Sequence, residues 1–362
     1  PRRRENFGHD AESHDVNRNG IRNMSVRSFK APWFSPFCSL QPTMVEYHLA
    51  PLQTLNTGAK ISMVGLGCYS PDDPKKIIDG ITEATKVGYT HFDTASFYQN
   101  EEVVGEGMRA SGVPRENLFV TTKLWNFDHH NVQEAFDKSL AKLNVDYIDL
   151  YLLHWPQATK PGHLFLADDT ISFVDTWKAM EKLFETRPGK VKAIGVSNFS
   201  IKTLTELLKH AKIVPALNEI ETHPYNQENE LIQFCREKGI VVSAYTPLGQ
   251  ANSPILKDAD IVKIAEEIGG DVTPAKVVLS WNVQRGVVIL PKSSNPVRVK
   301  QNIELITLSD DHMQRIYNIS KDPSRHQRFA LVYDKTTETV FGWTWEQLGW
   351  QKPTHVSCLD DA

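Results

Sequence analysis

The chain has few cysteines, and no two of them lie close enough in sequence to form a C-x-x-C motif. The four residues Cys38, Cys68, Cys235 and Cys358 are widely spaced, so neither a disulfide framework nor a zinc site is indicated. This cysteine usage fits a reducing compartment best. We therefore expect a cytoplasmic protein without a bound metal.

The sequence also lacks any apolar run near the ~18 residues that a membrane-spanning helix needs. It has no excess of positive charge either, because its formal net charge is -4 at pH 7. A chain of this charge has no polybasic field that would attract nucleic acid or an anionic membrane surface. We expect a small molecule as its partner, with no nucleic acid and no membrane.

The first 43 residues lack the hydrophobic periodicity found in the rest of the chain. They are polar and rich in arginine, and this composition predicts a disordered N-terminal extension. Residues 24–45 contain no acidic residue and include Ser, Arg and Phe, which faintly resembles a mitochondrial transit peptide. Acidic residues further upstream weaken this alternative. We predict that the folded domain begins at Met44.

From residue 64 onwards, short apolar runs alternate with segments of helical periodicity. Eight such runs lie between residues 64 and 290, and nearly all are followed by a helical pattern. Repeated βα units predict parallel strands, and eight of them predict a closed (β/α)8 TIM barrel of the α/β class. Ahead of it, Asn56-Thr57-Gly58 between two alternating runs predicts a hairpin. We place the barrel over residues 44–320 and an irregular, aromatic tail, which forms a lid, over residues 321–362.

The main rival to the barrel is a doubly wound nucleotide-binding sheet. Its only candidate fingerprint is Gly65-Leu66-Gly67. The third glycine of that fingerprint would stand at position 70, where this chain has Ser70. The rival fold is therefore rejected.

Three polar residues and a histidine stand where apolar runs end. Asp93 and Lys123 end the second and third runs, His154 ends the fourth, and Tyr98 follows Asp93. The carboxyl ends of parallel barrel strands share one mouth, so these four side chains should converge. An ammonium next to a phenol stabilises the phenolate and lowers its pKa, and a carboxylate holds that ammonium charged. Such a group of residues suits acid catalysis, with a neutral histidine to orient a carbonyl.

Each of these residues also has an ordinary structural interpretation. A lone Asp at a strand end is usually a turn or helix-cap residue, a lone Lys is usually solvated, and a lone His is usually packed in the core. Their common position in successive βα units favours the functional interpretation.

Six motifs extend this interpretation: GYTHFDTASFYQNEEVVGEG, FVTTKLWN, DYIDLYLLHWP, IGVSNF, AYTPLG and VVILPKSSNPVRVKQN. In their order and spacing, over about residues 50–320, the chain resembles the aldo-keto reductase superfamily, including its aldehyde reductase-like and fungal glycerol or xylose reductase-like members. The resemblance implies NADPH-dependent reduction of an aldehyde, ketone or aldose carbonyl to the alcohol. It also implies a catalytic tetrad of Asp93, Tyr98, Lys123 and His154, with Tyr98 as general acid, in a monomer or weak dimer.

The same resemblance assigns cofactor residues. Ser197 and Asn198 would hold the nicotinamide carboxamide, and Tyr245 would stack on the nicotinamide ring. Around the adenosine end, Arg298 with its neighbours suits a 2′-phosphate better than a bare ribose. The expected cofactor-binding residues are Ser197, Asn198, Glu219, Tyr245, Leu248, Ser253, Lys292, Ser293, Asn295, Arg298, Gln301 and Asn302.

One of these residues departs from the family pattern. Glu219 stands where the family usually has Gln, and an ionised carboxylate cannot donate a hydrogen bond as an amide does. We expect the contact with the nicotinamide carboxamide to be altered.

The substrate pocket is expected to be aromatic. Its predicted walls are Tyr69, Phe97, Trp125 and Trp155, with a carbonyl oxygen held between Tyr98 and His154. The tail residues Phe341, Trp343, Trp345 and Trp350 either form the lid or pack the tail as core. Two other functions stay open at this point: an NADPH-binding sensor or channel-associated barrel with little turnover, and a polyol (glycerol) dehydrogenase working towards oxidation.

Overall fold

The computed structural model describes residues 45–70, 73–251 and 253–358. All of them belong to one compact unit. The expected disordered extension over residues 1–43 lies outside the described residues. Within the described ranges, none of the helices combines the length and apolarity needed to span a bilayer.

A closed barrel of eight parallel strands forms the centre of the molecule, as the repeated βα units predicted. Each strand pairs with the next one along the chain. The first and last strands meet through a parallel bridge between Val64 and Ile289, where Gly65 N–H donates to the Ile289 carbonyl at 2.8 Å. A two-stranded antiparallel hairpin precedes the barrel, as Asn56-Thr57-Gly58 predicted. The hairpin strands are β1 (Leu52–Thr54) and β2 (Lys60–Ser62), and the barrel strands are β3 (Leu66–Gly67), β4 (His91–Asp93), β5 (Phe119–Leu124), β6 (Leu150–Leu153), β7 (Ile194–Ser197), β8 (Leu217–Glu221), β9 (Val241–Tyr245) and β10 (Val287–Leu290).

The helices begin and end at the residues that local chemistry favours. In the first one, the Asp73 side chain accepts a hydrogen bond from Lys75 N, Ile81 and Ala84 are buried, and Gly88 follows the end with a φ of 104°. The helices are α1 (Pro74–Lys86), α2 (Glu101–Ala110), α3 (Val132–Leu143), α4 (Phe173–Thr186), α5 (Ile201–Leu208), α6 (Asn229–Glu237), α7 (Ala259–Ile268), α8 (Pro274–Gln284), α9 (Pro296–Ile303), α10 (Asp310–Ile319) and α11 (Trp345–Leu348).

The N-terminal hairpin lies at the end of the barrel where the strands begin. The Asn56 side chain donates to the carbonyls of Val214 and Pro215, at 3.1 and 3.2 Å, just before β8 starts. The hairpin therefore covers the end opposite the carboxyl ends of the strands. This leaves the mouth expected for the functional site clear of the hairpin.

The tail is more regular than the sequence suggested. Strands β11 (Gln327–Leu331) and β14 (His355–Cys358) pair in parallel, and β12 (Tyr333–Asp334) pairs with β13 (Thr339–Val340). The prediction of an irregular tail was wrong, because strands β12 and β13, of two residues each, are too short to alternate, and β11 does not alternate strictly. The tail is attached to the barrel mouth: Phe329 N–H donates to the Glu221 carboxylate, and Gln157 Nε2 donates to the Val340 carbonyl at 2.9 Å.

The packing of α2 on α3 gives a test of the fold. A Cβ placed on Gly105 in α2 would lie 2.1 Å from the Leu143 carbonyl oxygen, which is backbone and cannot turn aside. Gly105→Ala should therefore lower the free energy of unfolding by about 1–3 kcal/mol, because overpacking exceeds the gain in helix propensity. Chemical denaturation measures this change.

Gly80→Ala in α1 is the matched control, because a Cβ there would meet nothing within 4 Å. We expect it to stabilise the protein by up to ~1 kcal/mol through helix propensity alone. Equal effects of the two substitutions would contradict the packing described here.

Candidate active site

The barrel brings together the four residues that the motifs placed at its mouth. Asp93 ends β4, Lys123 lies in β5, and His154 directly follows β6. Tyr98 ends a short 3-10 turn, Ser96–Tyr98, that the Ser96 hydroxyl fastens to the Lys123 carbonyl at 2.9 Å. This bond fixes the loop that carries Tyr98 to the strand that carries Lys123.

The Lys123 ammonium is the centre of the site. The side chain has 0% of its surface exposed, and Nζ donates to Asp93 Oδ1 at 2.6 Å and to the Thr94 carbonyl at 3.0 Å. Glu219 Oε1 lies 3.2 Å from the same nitrogen. Burial alone would lower the pKa of Lys123, but the attraction of Asp93 and Glu219 raises it above the usual lysine value. The ammonium is therefore charged.

Tyr98 lies beside this charge. Nζ of Lys123 is 5.3 Å from the centroid of the Tyr98 ring. Burial raises the pKa of the Tyr98 phenol above its usual value, and this effect outweighs the lowering by Lys123. The lowering by Lys123 is as expected, but burial, together with the repulsion from Asp93 and Glu219, disfavours the phenolate more than one ammonium favours it. Tyr98 is therefore protonated at neutral pH, the form in which a phenol can act as an acid.

His154 is a neutral imidazole next to Tyr98. Burial lowers its pKa well below the usual value, and the Lys123 charge adds to this lowering. Its ring centroid lies 5.9 Å from that of Tyr98, and its Nδ1 finds no hydrogen-bond partner in the described part of the chain. A neutral imidazole keeps one N–H that can donate to a carbonyl oxygen.

Glu219 was expected beside the nicotinamide, and the structure places its carboxyl against Lys123. Burial and the neighbouring Asp93 raise the pKa of Glu219 to about 8. Sequence reasoning missed its contact with Lys123. The order of the strands could have suggested this contact. β8 lies three strands from β5, so inward-pointing side chains of both strands enter the same barrel interior.

The residues expected at the nicotinamide end are joined to one another. Asn198, which has a φ of 63°, donates from Nδ2 to the His154 carbonyl at 3.0 Å and accepts from the Tyr245 hydroxyl at 2.7 Å. The Ser197 hydroxyl donates to the Glu219 carbonyl at 2.9 Å. These contacts connect the carboxyl ends of β7, β8 and β9. Ser253 is buried and caps a 3-10 turn, and Leu248 is half-buried against the core.

A second group of expected residues lies on and just before α9. Lys292, Asn295 and Arg298 are exposed, Ser293 is buried, and the Asn295 side chain caps the helix by accepting from the backbone of Val297 and Arg298. Gln301 is half-buried. Asn302 is only 7% exposed, and its side-chain amide makes no hydrogen bond within the residues that the structure describes.

The expected substrate walls form one aromatic cluster around Tyr98. Phe97 stacks on Trp125 with ring centroids 3.8 Å apart, and Tyr69 meets Tyr98 edge-on at 4.9 Å. Tyr69 is 45% exposed, so it lies at the rim, whereas Trp125 and Trp155 are buried.

One tail residue reaches this cluster. Phe341 lies 5.3 Å from Trp125 and 5.1 Å from Trp155 between ring centroids. By contrast, Trp345 packs against Tyr333 within the tail, and Trp350 lies under the Arg328 guanidinium. Phe341 thus contacts two of the residues expected to line the pocket, while Trp345 and Trp350 pack within the tail.

Comparison with known proteins agrees with this geometry. A sequence model of the aldo/keto reductase family matches residues 63–321. The chain is 45% identical over 288 residues to a glycerol 2-dehydrogenase (NADP(+)) of Saccharomyces cerevisiae, covering 74% of this chain and 90% of that protein. An aldehyde reductase of the same yeast is 45% identical over 285 residues, with the same coverage of both chains.

Solved structures show the same fold. A Bombyx mori aldo-keto reductase crystallised in complex with NADP matches with a TM-score of 0.69 and 36% identity, covering 75% of this chain and 93% of that one. An aldo/keto reductase of Brucella melitensis matches with a TM-score of 0.66 and 38% identity, covering 75% of this chain and 99% of that one. With its barrel, its tetrad geometry and these matches, the chain belongs to the aldo/keto reductase family.

Proposed function

We propose that this enzyme reduces the carbonyl group of an aldehyde, ketone or aldose to the alcohol, with NADPH as hydride donor and Tyr98 as general acid. The observation that carries the proposal is the fully buried Lys123–Asp93 pair, 2.6 Å apart, directly beside a protonated phenol and a neutral histidine. This arrangement suits proton donation to an oxygen on which negative charge develops.

The chemistry divides between the cofactor and the chain. The cofactor supplies a hydride when it is bound. His154 donates a hydrogen bond that orients the carbonyl oxygen, and the Tyr98 hydroxyl gives that oxygen its proton. The resulting phenolate is stabilised by the Lys123 ammonium, which Asp93 holds charged and in place. The aromatic residues around Tyr98 exclude water from the reacting atoms.

The residues around α9 fit the phosphorylated end of NADPH. The unpartnered amide of buried Asn302 suits the edge of an adenine, and Gln301 lies next to it. Arg298, Lys292 and Ser293 would hold the 2′-phosphate at the start of the helix, where backbone N–H groups also favour an anion. Ser197, Asn198 and Tyr245 would hold the nicotinamide.

The aromatic pocket supports a small carbonyl substrate. The names of similar proteins, among them aldehyde reductase, D-galacturonate reductase and D/L-glyceraldehyde reductase, support an aldehyde or aldose. Glycerol 2-dehydrogenases are also among the relatives. Oxidation of a polyol would use the same residues in reverse, with Tyr98 as the phenolate base. We propose reduction as the working direction, because the resting phenol is the form that donates a proton.

Removal of the Tyr98 hydroxyl tests the proposed acid. We expect Tyr98→Phe to lower kcat for reduction by about 10²- to 10⁴-fold, the usual contribution of a general acid, while the Kd of NADPH stays within about 2-fold. Steady-state kinetics on a panel of aldehydes and a fluorescence titration with NADPH measure the two quantities. Tyr317→Phe, an exposed tyrosine on α10, is the control and should behave as wild type. A Tyr98→Phe enzyme with wild-type kcat would refute Tyr98 as the acid.

Substitution of Arg298 tests the 2′-phosphate site. We expect Arg298→Ala to raise the Kd of NADPH roughly 10- to 100-fold through loss of charge-assisted hydrogen bonds, with little change for NADH. Lys300→Ala removes a neighbouring exposed cation of the same helix, which lies 3.9 Å from Glu304, and serves as the control. Equal weakening of NADPH and NADH by Arg298→Ala would show that Arg298 does not read the 2′-phosphate.

A further inference from the structure

The site holds one more carboxyl group than the tetrad needs. Asp93 and Glu219 both lie against the Lys123 ammonium, at 2.6 and 3.2 Å, and all three side chains are buried. If both acids were ionised, the cluster would carry a net negative charge in the barrel interior. An unbalanced buried charge is costly, and such groups normally take up a proton instead.

The positions of the two carboxyls show where that proton belongs. Asp93 Oδ2 is buried and receives no hydrogen bond from any N–H or O–H donor of the described residues. Both carboxyls meet at one atom, because Asp93 Oδ1 and Glu219 Oε1 lie 2.6 and 3.2 Å from the same Lys123 nitrogen. A proton on Glu219 would supply the donor that Asp93 lacks, and it would leave one carboxylate and one ammonium, which balance. Asp93 would then be the ionised member.

The other titratable groups around this pair do not change charge near neutral pH. Tyr98, Tyr245 and Cys68 have pKa values raised by burial, and they stay neutral. Burial lowers the pKa values of His154 and His91, which also stay neutral, and Lys123 stays charged. Among the described groups that face Glu219, the carboxyl pair is therefore the one that can exchange a proton near neutral pH.

We propose that Glu219 is a fifth member of the catalytic cluster, a positioning residue that shares one proton with Asp93 and serves as a reserve counter-charge for Lys123. In the resting arrangement, Glu219 is the neutral acid and donates to Asp93. If Asp93 loses its charge, Glu219 ionises and holds the ammonium in its place. For catalysis, this inference rests on the proposed function; for the shared proton, it rests on the cluster geometry alone.

A glutamine at position 219 would behave differently. Its amide can also donate to Asp93, but it cannot ionise. Glutamine would therefore keep the hydrogen bond of the resting arrangement, but it could not supply a negative charge to Lys123 in place of Asp93. In the wild-type cluster, Asp93 and Glu219 can each balance the charge of Lys123. Two residues that can replace each other in this way give non-additive effects when both are mutated.

A double-mutant cycle tests the reserve. Asp93→Asn, Glu219→Gln and the double variant are compared by kcat for an aldehyde that the wild-type enzyme reduces. We expect each single change to lower kcat by less than about 10-fold, and the double change to lower it by at least about 10-fold more than the product of the two. If Asp93→Asn alone lowers kcat as far as the double variant does, or if the effects multiply, Glu219 is not a reserve.

The shared proton is tested without cofactor or turnover. Glu219 binds its proton more tightly in the folded chain than its usual pKa of 4.5 allows, so its own contribution to stability should fall as the pH rises from 4.5 to about 8. In thermal unfolding of the cofactor-free protein, we expect the stability of the wild type relative to Glu219→Gln to decline over this range. The other titrating groups are common to both proteins and cancel in this difference. The control is Glu181→Gln, a buried carboxylate on α4 that accepts two backbone N–H bonds, and it should keep the decline relative to Glu219→Gln.

Parallel pH profiles of the wild type and Glu219→Gln would overturn the shared proton. This readout also separates the two proposals. A wild-type protein that shows the pH-dependent decline relative to Glu219→Gln but reduces no carbonyl compound would contradict the proposed function and leave the shared proton supported. The comparison of pH profiles also tests the inference if the double variant does not fold.

Discussion

The buried ammonium of Lys123 is the constraint on which the site depends. A charge in the interior of a barrel is tolerated only if nearby acceptors replace its water. Here three acceptors come from two parts of the chain: the Asp93 carboxylate at the end of β4 with the Thr94 carbonyl just after it, and Glu219 in β8. The ammonium therefore ties together strands on opposite sides of the barrel. The same charge makes a phenolate at Tyr98 less costly, although burial still keeps the resting phenol protonated.

Two features of the fold surround the buried ammonium: the barrel is closed, and the tail is attached at its open end. The bridge between Val64 and Ile289 joins the two edges of the sheet around the buried Lys123. At the open end, the tail is fastened to the end of β8 through Glu221 and to the loop after β6 through Gln157. Phe341 then lies against Trp125 and Trp155, two of the expected pocket residues. The attachment of the tail therefore positions one side chain of this aromatic cluster.

The barrel and the convergence of the tetrad could be predicted from the sequence because both follow from repetition. Each βα unit contributes one strand end, and parallel strand ends share one mouth, so the order of the units alone places Asp93, Lys123 and His154 together. The joined residues Ser197, Asn198 and Tyr245 follow the same rule, although the hydrogen bonds between them were not foreseen. Their roles towards the cofactor stay predictions.

Three features were beyond sequence reasoning, each for a physical reason. The net pKa of Tyr98 depends on the balance between burial and charge, and a motif gives the neighbours of a group but not its burial. The contact of Glu219 with Lys123 crosses the barrel interior between strands that are not neighbours. The short tail strands pair with partners that no local periodicity marks, as Gln327 with His355 shows.

Tyr98 is expected to keep its proton until it gives it to a substrate. Ultraviolet difference titration of the wild type against Tyr98→Phe measures this directly, because a phenolate absorbs differently from a phenol. We predict that the Tyr98 contribution stays that of a phenol up to and beyond pH ~10, the usual tyrosine value. A phenolate signal from Tyr98 at neutral pH would contradict it.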